Sequence, residues 1–208
     1  MKWKKVAGIL SIILVSLLVL FLSLMLAFNI VYIKTKVDGR SMFPNLNNED
    51  RVFINKFEDG NRGDIVVLDI SNQENWEDKG EGGFVVKRLV GKAGDKIKMV
   101  KTDNSIYELV INDKVISKQT IYGSSLSYEA FVEYVDLNIA NTERIQDGCI
   151  LVKSGEVFIM GDNWSNSYDC TTCGPISAKA IVGRVDIVVP KSQNLFWGVV
   201  KGVFSQIF

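Results

Sequence analysis

Histidine is absent from this chain. That absence removes the Ser-His-Asp arrangement and its Cys-His relatives as ways to activate a nucleophile. Cysteine is scarce, and three residues with no histidine beside them leave no set able to complete a four-ligand zinc site. Neither a metal nor a cofactor is expected. Charge of one sign is not in excess, because 24 Lys plus Arg balance 24 Asp plus Glu. No nucleic-acid partner is expected, since there is no basic surplus to meet phosphates. Domain linkers, internal repeats and low-complexity tracts are missing too. The 208 residues, 47% of them hydrophobic, are enough to bury one good core with at most a small satellite.

Long apolar runs, by contrast, are present. After MKWKK, residues 6–33 carry no ionisable side chain except the phenol of Tyr32, and the next charge is Lys34. At ~1.5 Å rise per residue, a helix over that run exceeds the ~30 Å hydrocarbon core of a bilayer. A cleaved signal peptide would have an apolar region of only about 7–15 residues ending at a small-x-small site. An uncleaved transmembrane anchor over residues 6–33 is therefore expected, with the lipid bilayer as partner. Lys2, Lys4 and Lys5 precede the span, whereas Lys34, Lys36 and Arg40 follow it. The N-terminal cluster favours residues 1–5 in the cytoplasm and residues 34–208 outside, in a single-pass membrane protein.

The rest reads as β structure. RVFINKF (51–57), DIVVLDI (64–70), GFVVKRLV (83–90), YELVIND (107–113), EVFIM (156–160) and AIVGRVDIVV (180–189) are strand-length runs rich in β-branched residues, between Gly, Asn and Asp clusters. SNQENWEDKGEGG (71–83) reads as a loop. Residues 129–147 carry no clear signal and fall within a variable insertion, 96–150. At the C-terminus, LFWGVVKGVFSQIF (195–208) can place Phe196, Val200, Val203, Phe204 and Ile207 on one helical face. It is too short to span, so an interfacial helix and a segment packed on the body are equal readings.

Ser41, in GRSMFPNL (39–46), sits in glycine and proline turn chemistry where a nucleophile can be presented. Most serines in such turns are only turn residues. Without histidine the base must be lysine or a carboxylate, and carboxylates with pKa near 4 are too weak. A lysine brought from ~10.4 to about 8 costs roughly 3 kcal/mol, which requires apolar surroundings. Lys87, following Phe84, Val85 and Val86 in a strand, meets that condition. A strand lysine is more often simply solvated.

Taken together, these segments resemble the type I signal peptidases. GRSMFPNL is similar to their SMxP nucleophile box, and VVKRLVGKAGD (85–95) to their KR box with the Gly and Gly-Asp that follow. NRGDIVVL (61–68) is similar to their RGDIVVF strand, and GEVFIMGDNWSNSYD (155–169) to their GxxFxxGDNxxxSxD block. The boxes occur in the family's order after an anchor and span residues 37–183 except the middle insertion. The single span and compact length look most like the Gram-positive form.

The resemblance implies a mainly β fold, an anchor followed by an all-β catalytic body of antiparallel sheets. It further implies a membrane-bound serine endopeptidase that removes signal peptides from exported preproteins after small residues. Ser41 would be the nucleophile, Lys87 the general base and Ser167 the hydroxyl that orients the Lys87 amine. The Ser41 N–H would help hold the oxyanion. Some members add a serine hydroxyl two residues upstream, where this chain has Gly39. Val37, Met42, Val85 and Val86 would line shallow pockets for an extended substrate paired with flanking strands. Asp162, Asn163, Arg88 and Asp169 would shape the site.

The chain departs from the pattern after GDN, where Trp164 replaces the usual arginine and Cys170-Thr171 the usual Ser-Arg. Asp169 is then expected to rely on Arg88, with a looser loop around Ser167. Cys170 and Cys173 form a CxxC, a candidate disulfide in an oxidising exterior. A redox-active pair is the alternative, but no thioredoxin-like pattern surrounds it. Cys149 is expected to be a small buried residue.

Three other readings compete. Repressor-type Ser/Lys autoproteases would carry a DNA-binding domain in place of the span. Endoplasmic-reticulum signal peptidases use the histidine this chain lacks. A signal-peptidase-like accessory protein, assisting assembly of surface or pilus proteins without general cleavage, remains as the alternative. The expected topology has a direct check: protease added to intact protoplasts should digest the body. Protection until lysis would contradict it.

Overall fold

The computed structural model describes residues 2–76, 81–102, 105–121 and 125–207. Part of the loop at 71–83 lies outside these residues. Helix α1 (Lys2–Val31) begins with the lysine cluster and is apolar beyond it, and Lys5–Val31 is long and apolar enough to cross a membrane. Its polar side chains are satisfied within the helix: Ser11, Ser16, Ser23 and Asn29 each donate to a carbonyl three or four residues earlier.

The apolar run does not stay helical to its end. Tyr32 and Ile33 open strand β1 (Tyr32–Lys36), so the helix stops at Val31 and not at Ile33. The reason is a tertiary one. β1 pairs in antiparallel register with β2 (Arg51–Asn55), Ile33 opposite Ile54, and Lys56 N–H donates to Val31 O at 3.1 Å. Tyr32, Asn55 and Arg184 converge on the Asp186 carboxylate at this junction. Helix therefore passes into sheet without a linker.

The remaining strands are β3 (Ile65–Asp69), β4 (Phe84–Lys92), β5 (Lys96–Lys101), β6 (Ile106–Ile111), β7 (Lys114–Thr120), β8 (Ile145–Gln146), β9 (Cys149–Leu151), β10 (Glu156–Met160), β11 (Ile176–Ser177) and β12 (Ile181–Val189). They form two wholly antiparallel sheets, ordered β1-β2-β12-β3-β4-β10-β11 and β7-β6-β5-β9-β8. The mainly β, antiparallel architecture agrees with the sequence reading.

Residues 96–150 supply the second sheet and helix α2 (Leu126–Asn138), so the body is not wholly β. The helix starts where Ser125 accepts the Tyr128 N–H, an N-cap, and it buries Ser127, Phe131 and Val135. One continuous core joins Val66, Leu68, Leu89 and Phe158 of the first sheet to Ile97, Met99, Tyr107 and Ile150 of the second, with Phe131 and Val135 of α2. Gly91 allows this close approach, since a Cβ there would lie 2.8 Å from Ile97 Cδ1 and 3.0 Å from Phe158 Cβ. A second cluster of Val37, Met42, Leu46, Val52, Ile54 and Val67 lies where the first sheet meets the loop carrying Ser41.

Two short helices complete the body, α3 (Cys170–Cys173) and α4 (Leu195–Ile207). On α4 the expected common face divides: Val203 packs inward with Leu195 and Val199, while Phe196 and Phe204 stay exposed. The inward face is set by Gly198 and Gly202, which bring the helix backbone onto Val189 and Ile187 of β12.

Candidate active site

The loop between β1 and β2 is fastened at both ends. Val37 N–H donates to Asp50 O and Glu49 N–H to Val37 O, each at 2.8 Å, while the buried Asp50 carboxylate accepts from Asn47 N–H and Lys191 N–H. Met42 and Leu46 are buried and tie the turn to Val52, Ile54 and Val67. Between these fixed points Ser41 is half-buried, and its side chain lines a cleft of about 580 Å³. The same cleft is lined by Val37, Met42, Val85, Val86 and Lys87. Gly39 does not line it: φ is +90°, and its N–H donates to Asn48 Oδ1 at 2.9 Å. That positive φ favours glycine and strains a serine at the same place.

Lys87 lies in β4 opposite Val66 of β3 and is only 4% exposed. Its Nζ donates to Ser167 Oγ at 3.0 Å, and Ser167 Oγ donates to Asp169 Oδ2 at 2.5 Å. Burial disfavours a charged amine unless its surroundings compensate. A serine and such an amine in one cleft suit proton abstraction followed by acyl transfer.

Asp169 is fully buried, and Arg88 is not among the donors on its carboxylate. Gly161 N–H at 2.8 Å and Ser167 Oγ share Oδ2, while Thr171 N–H at 3.0 Å and Thr171 Oγ1 at 2.8 Å share Oδ1. Arg88 instead grips Asp162, Nε to Oδ1 at 2.6 Å and Nη2 to Oδ2 at 2.5 Å. That bond raises the Arg88 pKa, outweighing the effect of burial. Successive strand side chains leave on opposite faces, so Lys87 reaches Ser167 while Arg88 reaches Asp162. Thr171, first noted only as a departure, replaces a cation with neutral donors. Its hydroxyl two residues beyond an aspartate is the sequence signal that such an N-cap contact gives.

The Gly161-Asp162-Asn163 segment connects this network to the Ser41 loop. Asn163 N–H donates to Ser41 O at 2.9 Å, Asn163 Nδ2 to Arg40 O at 3.2 Å, and Asn45 Nδ2 to Asp162 Oδ2 at 2.7 Å. A Cβ on Gly161 would collide with Ser167 Oγ and lie 2.6 Å from Ser41 O. Trp164 is buried, and its carbonyl accepts from Ser127 N–H at 3.0 Å and Ser125 Oγ at 3.4 Å. The loop expected to loosen is thus tied to the start of α2. A second cavity of about 700 Å³ lies beyond the loop, lined by Phe43, Asn45, Arg88, Gln119, Asp162 and Trp164, but neither Ser41 nor Lys87 borders it.

All three cysteines are free thiols in the structure. Burial, followed by the neighbouring Cys173, pushes the Cys170 thiol well above its ordinary pKa. Such a thiol is not a ready nucleophile at neutral pH, which disfavours the redox-active alternative. Cys149 is half-buried on β9 and not enclosed as expected, because only the short β8 covers that side of the strand.

The model of the family described as "Signal peptidase, peptidase S26" matches residues 8–190, and the chain belongs to that family. It is 37% identical over 157 residues to signal peptidase I P of Bacillus subtilis subsp. natto, covering 73% of this chain and 74% of that one. Signal peptidase I U of Bacillus subtilis (strain 168) is 31% identical over 189 residues, 88% of this chain and 87% of the relative. A crystal structure of a signal peptidase I from Enterococcus faecalis V583 is similar over 60% of this chain and 95% of its own, at 22% identity and a TM-score of 0.36.

The role of Thr171 can be measured. Thr171→Val removes one hydrogen bond to a buried carboxylate and should cost about 1.5–3 kcal/mol of stability or transition-state positioning. Thr171→Ser should restore most of the loss. Equal thermal stability and cleavage in wild type and Thr171→Val would show that the hydroxyl is not needed.

Proposed function

We propose that this chain is a membrane-anchored serine endopeptidase that removes signal peptides from exported preproteins, with Ser41 as nucleophile and Lys87 as general base. The observation that carries the reading is the buried Lys87 amine, bonded to Ser167 and sharing one cleft with Ser41 in a chain without histidine. Family membership supports the same reaction class.

In the proposed reaction Ser41 Oγ attacks the scissile carbonyl carbon as its proton passes to the uncharged Lys87 Nζ. Ser167 accepts one amine N–H, which leaves the nitrogen lone pair for the incoming proton. Among the described residues nothing accepts from the Ser41 N–H, so it is available to the oxyanion. Lys87 then returns the proton to the leaving amine, and the C–N bond breaks to leave an acyl-enzyme. Water, deprotonated by the same amine, attacks the ester carbonyl and releases the carboxylate and Ser41.

Val37, Met42, Val85 and Val86 leave room for small side chains of an extended segment, and backbone pairing with the cleft strands would set its register. We assign the body to the outer side of the cell membrane on the N-terminal lysine cluster, with a single pass through α1. A loosened loop after Asn163 is the feature that would favour the accessory-protein alternative. Thr171 and Trp164 supply compensating contacts there, and no observation now favours it.

Both Ser41→Ala and Lys87→Arg should lose at least about 10³-fold in cleavage of a preprotein by the full chain, while still folding. Arginine keeps the charge but does not deprotonate. Wild-type activity should rise with pH as the amine loses its proton, with a midpoint below the ~10.4 of a free lysine. Near-normal cleavage by Lys87→Arg would overturn the assignment of the base, and by Ser41→Ala that of the nucleophile.

A further inference from the structure

Helix α4 presents a specific apolar face to solvent. Its 13 residues span about 20 Å, too little to cross a bilayer. The helix is docked by Leu195, Gly198, Val199, Gly202 and Val203, the i, i+3, i+4, i+7, i+8 positions of one face. A Cβ on Gly198 would lie 2.5 Å from Val189 Cγ1, and one on Gly202 would collide with Ile187 Cγ2, so the backbone rests directly on β12. This close seating fixes the roll of the helix. Phe196 and Trp197 are then 66% exposed and Phe204 57%, with Lys201 exposed on the same helix.

The occupant of that face follows from what lies beside it. Phe53, Ile187 and Val189 form a single cluster with Leu195, Val199 and Val203 of α4 and with Phe28 and Tyr32 at the end of α1. Phe28 also stacks against Tyr32 at 4.8 Å and meets Phe53 at 5.6 Å between ring centroids. The short helix is thus joined, through one layer of side chains, to the last turn of the spanning helix. Tryptophan and phenylalanine beside a lysine are suited to the boundary between headgroups and acyl chains.

We propose that the outward face of α4 is a second membrane contact, lying in the headgroup boundary of the bilayer that α1 crosses. The proposal rests on α1 being a membrane span. Two contacts on the body would fix its tilt relative to the bilayer plane, whereas α1 alone would leave that tilt less restricted. The cleft, whose wall includes Ile33, Lys34, Thr35 and Lys36 directly after α1, is thereby held at membrane level.

The test uses the full chain in vesicles of phosphatidylcholine and phosphatidylglycerol, some brominated on acyl carbons near the headgroup. Flotation after carbonate washing reports insertion of α1. The difference in fluorescence between wild type and Trp197→Phe reports Trp197 alone. Its emission should be blue-shifted, lose more than about half its intensity to brominated lipid, and resist aqueous iodide. Phe196→Ser/Phe204→Ser should weaken that quenching several-fold, while cleavage of a short soluble peptide stays unchanged. Floating protein whose Trp197 is quenched by iodide and not by bromine would overturn the proposal while leaving the anchor intact. Shielding from both quenchers, with cross-linking of two chains through α4, would overturn it in favour of a second copy. Failure to float would remove the anchor and this contact together.

Discussion

A lysine amine buried beside a serine is the constraint on which the surrounding architecture depends. Burying an ammonium without compensation is strongly unfavourable, whereas a neutral amine with a hydrogen-bond partner can be accommodated. The first sheet supplies the burial by setting Lys87 in a central strand between β3 and β10. The partner comes from elsewhere: Ser167 Oγ sits 3.0 Å away only because Asp169, fully buried, accepts four hydrogen bonds that fix it beneath Ser167. Three of those bonds come from backbone or a threonine within the same short segment, so the carboxylate is held while Arg88 is engaged with Asp162.

That network also positions Ser41, the proposed nucleophile. Gly161 gives its N–H to Asp169 and leaves space at the Ser41 carbonyl, while Asn163 holds the carbonyls of Arg40 and Ser41. Arg88 steadies the same segment from the other side through Asp162. A displacement in the 161–169 segment therefore disturbs the Lys87 partner and the Ser41 loop together. Fixed relative placement of this kind is what lowers the entropic part of a two-group reaction.

Strands with β-branched runs were legible in the sequence, because β2, β3, β4, β10 and β12 make the central part of the first sheet and carry apolar residues on both faces. The second sheet was mostly hidden. YELVIND was legible as β6, but KIKMVK of β5 was not read as a strand although it alternates, β7 is an edge strand with exposed Val115 and Ile116, and β8 and β9 are too short to show a period. The junction of α1 with β1 was invisible, since Tyr32 and Ile33 suit a membrane helix and a strand equally. At the site, the missing histidine and the apolar neighbours of Lys87 made Ser41 and Lys87 candidates, and the resemblance to the type I signal peptidases supplied their expected roles. The partners of Asp169 were not, because Gly161 and Thr171 reach it only after the loop folds. The Arg88 partner was misread although strand alternation already separates it from Lys87.

The reading of the whole molecule comes down to the protonation state of one nitrogen. Nitrogen-15 NMR of lysine-labelled full-length protein in micelles, with the Lys87 Nζ resonance assigned by its loss in Lys87→Arg, observes that state directly. For Lys87 Nζ, an ammonium resonance should give way to a neutral-amine resonance over the same pH range in which cleavage rises, and that resonance should shift in Ser167→Ala. An ammonium resonance that persists to about pH 10, as for a solvated lysine, would contradict it.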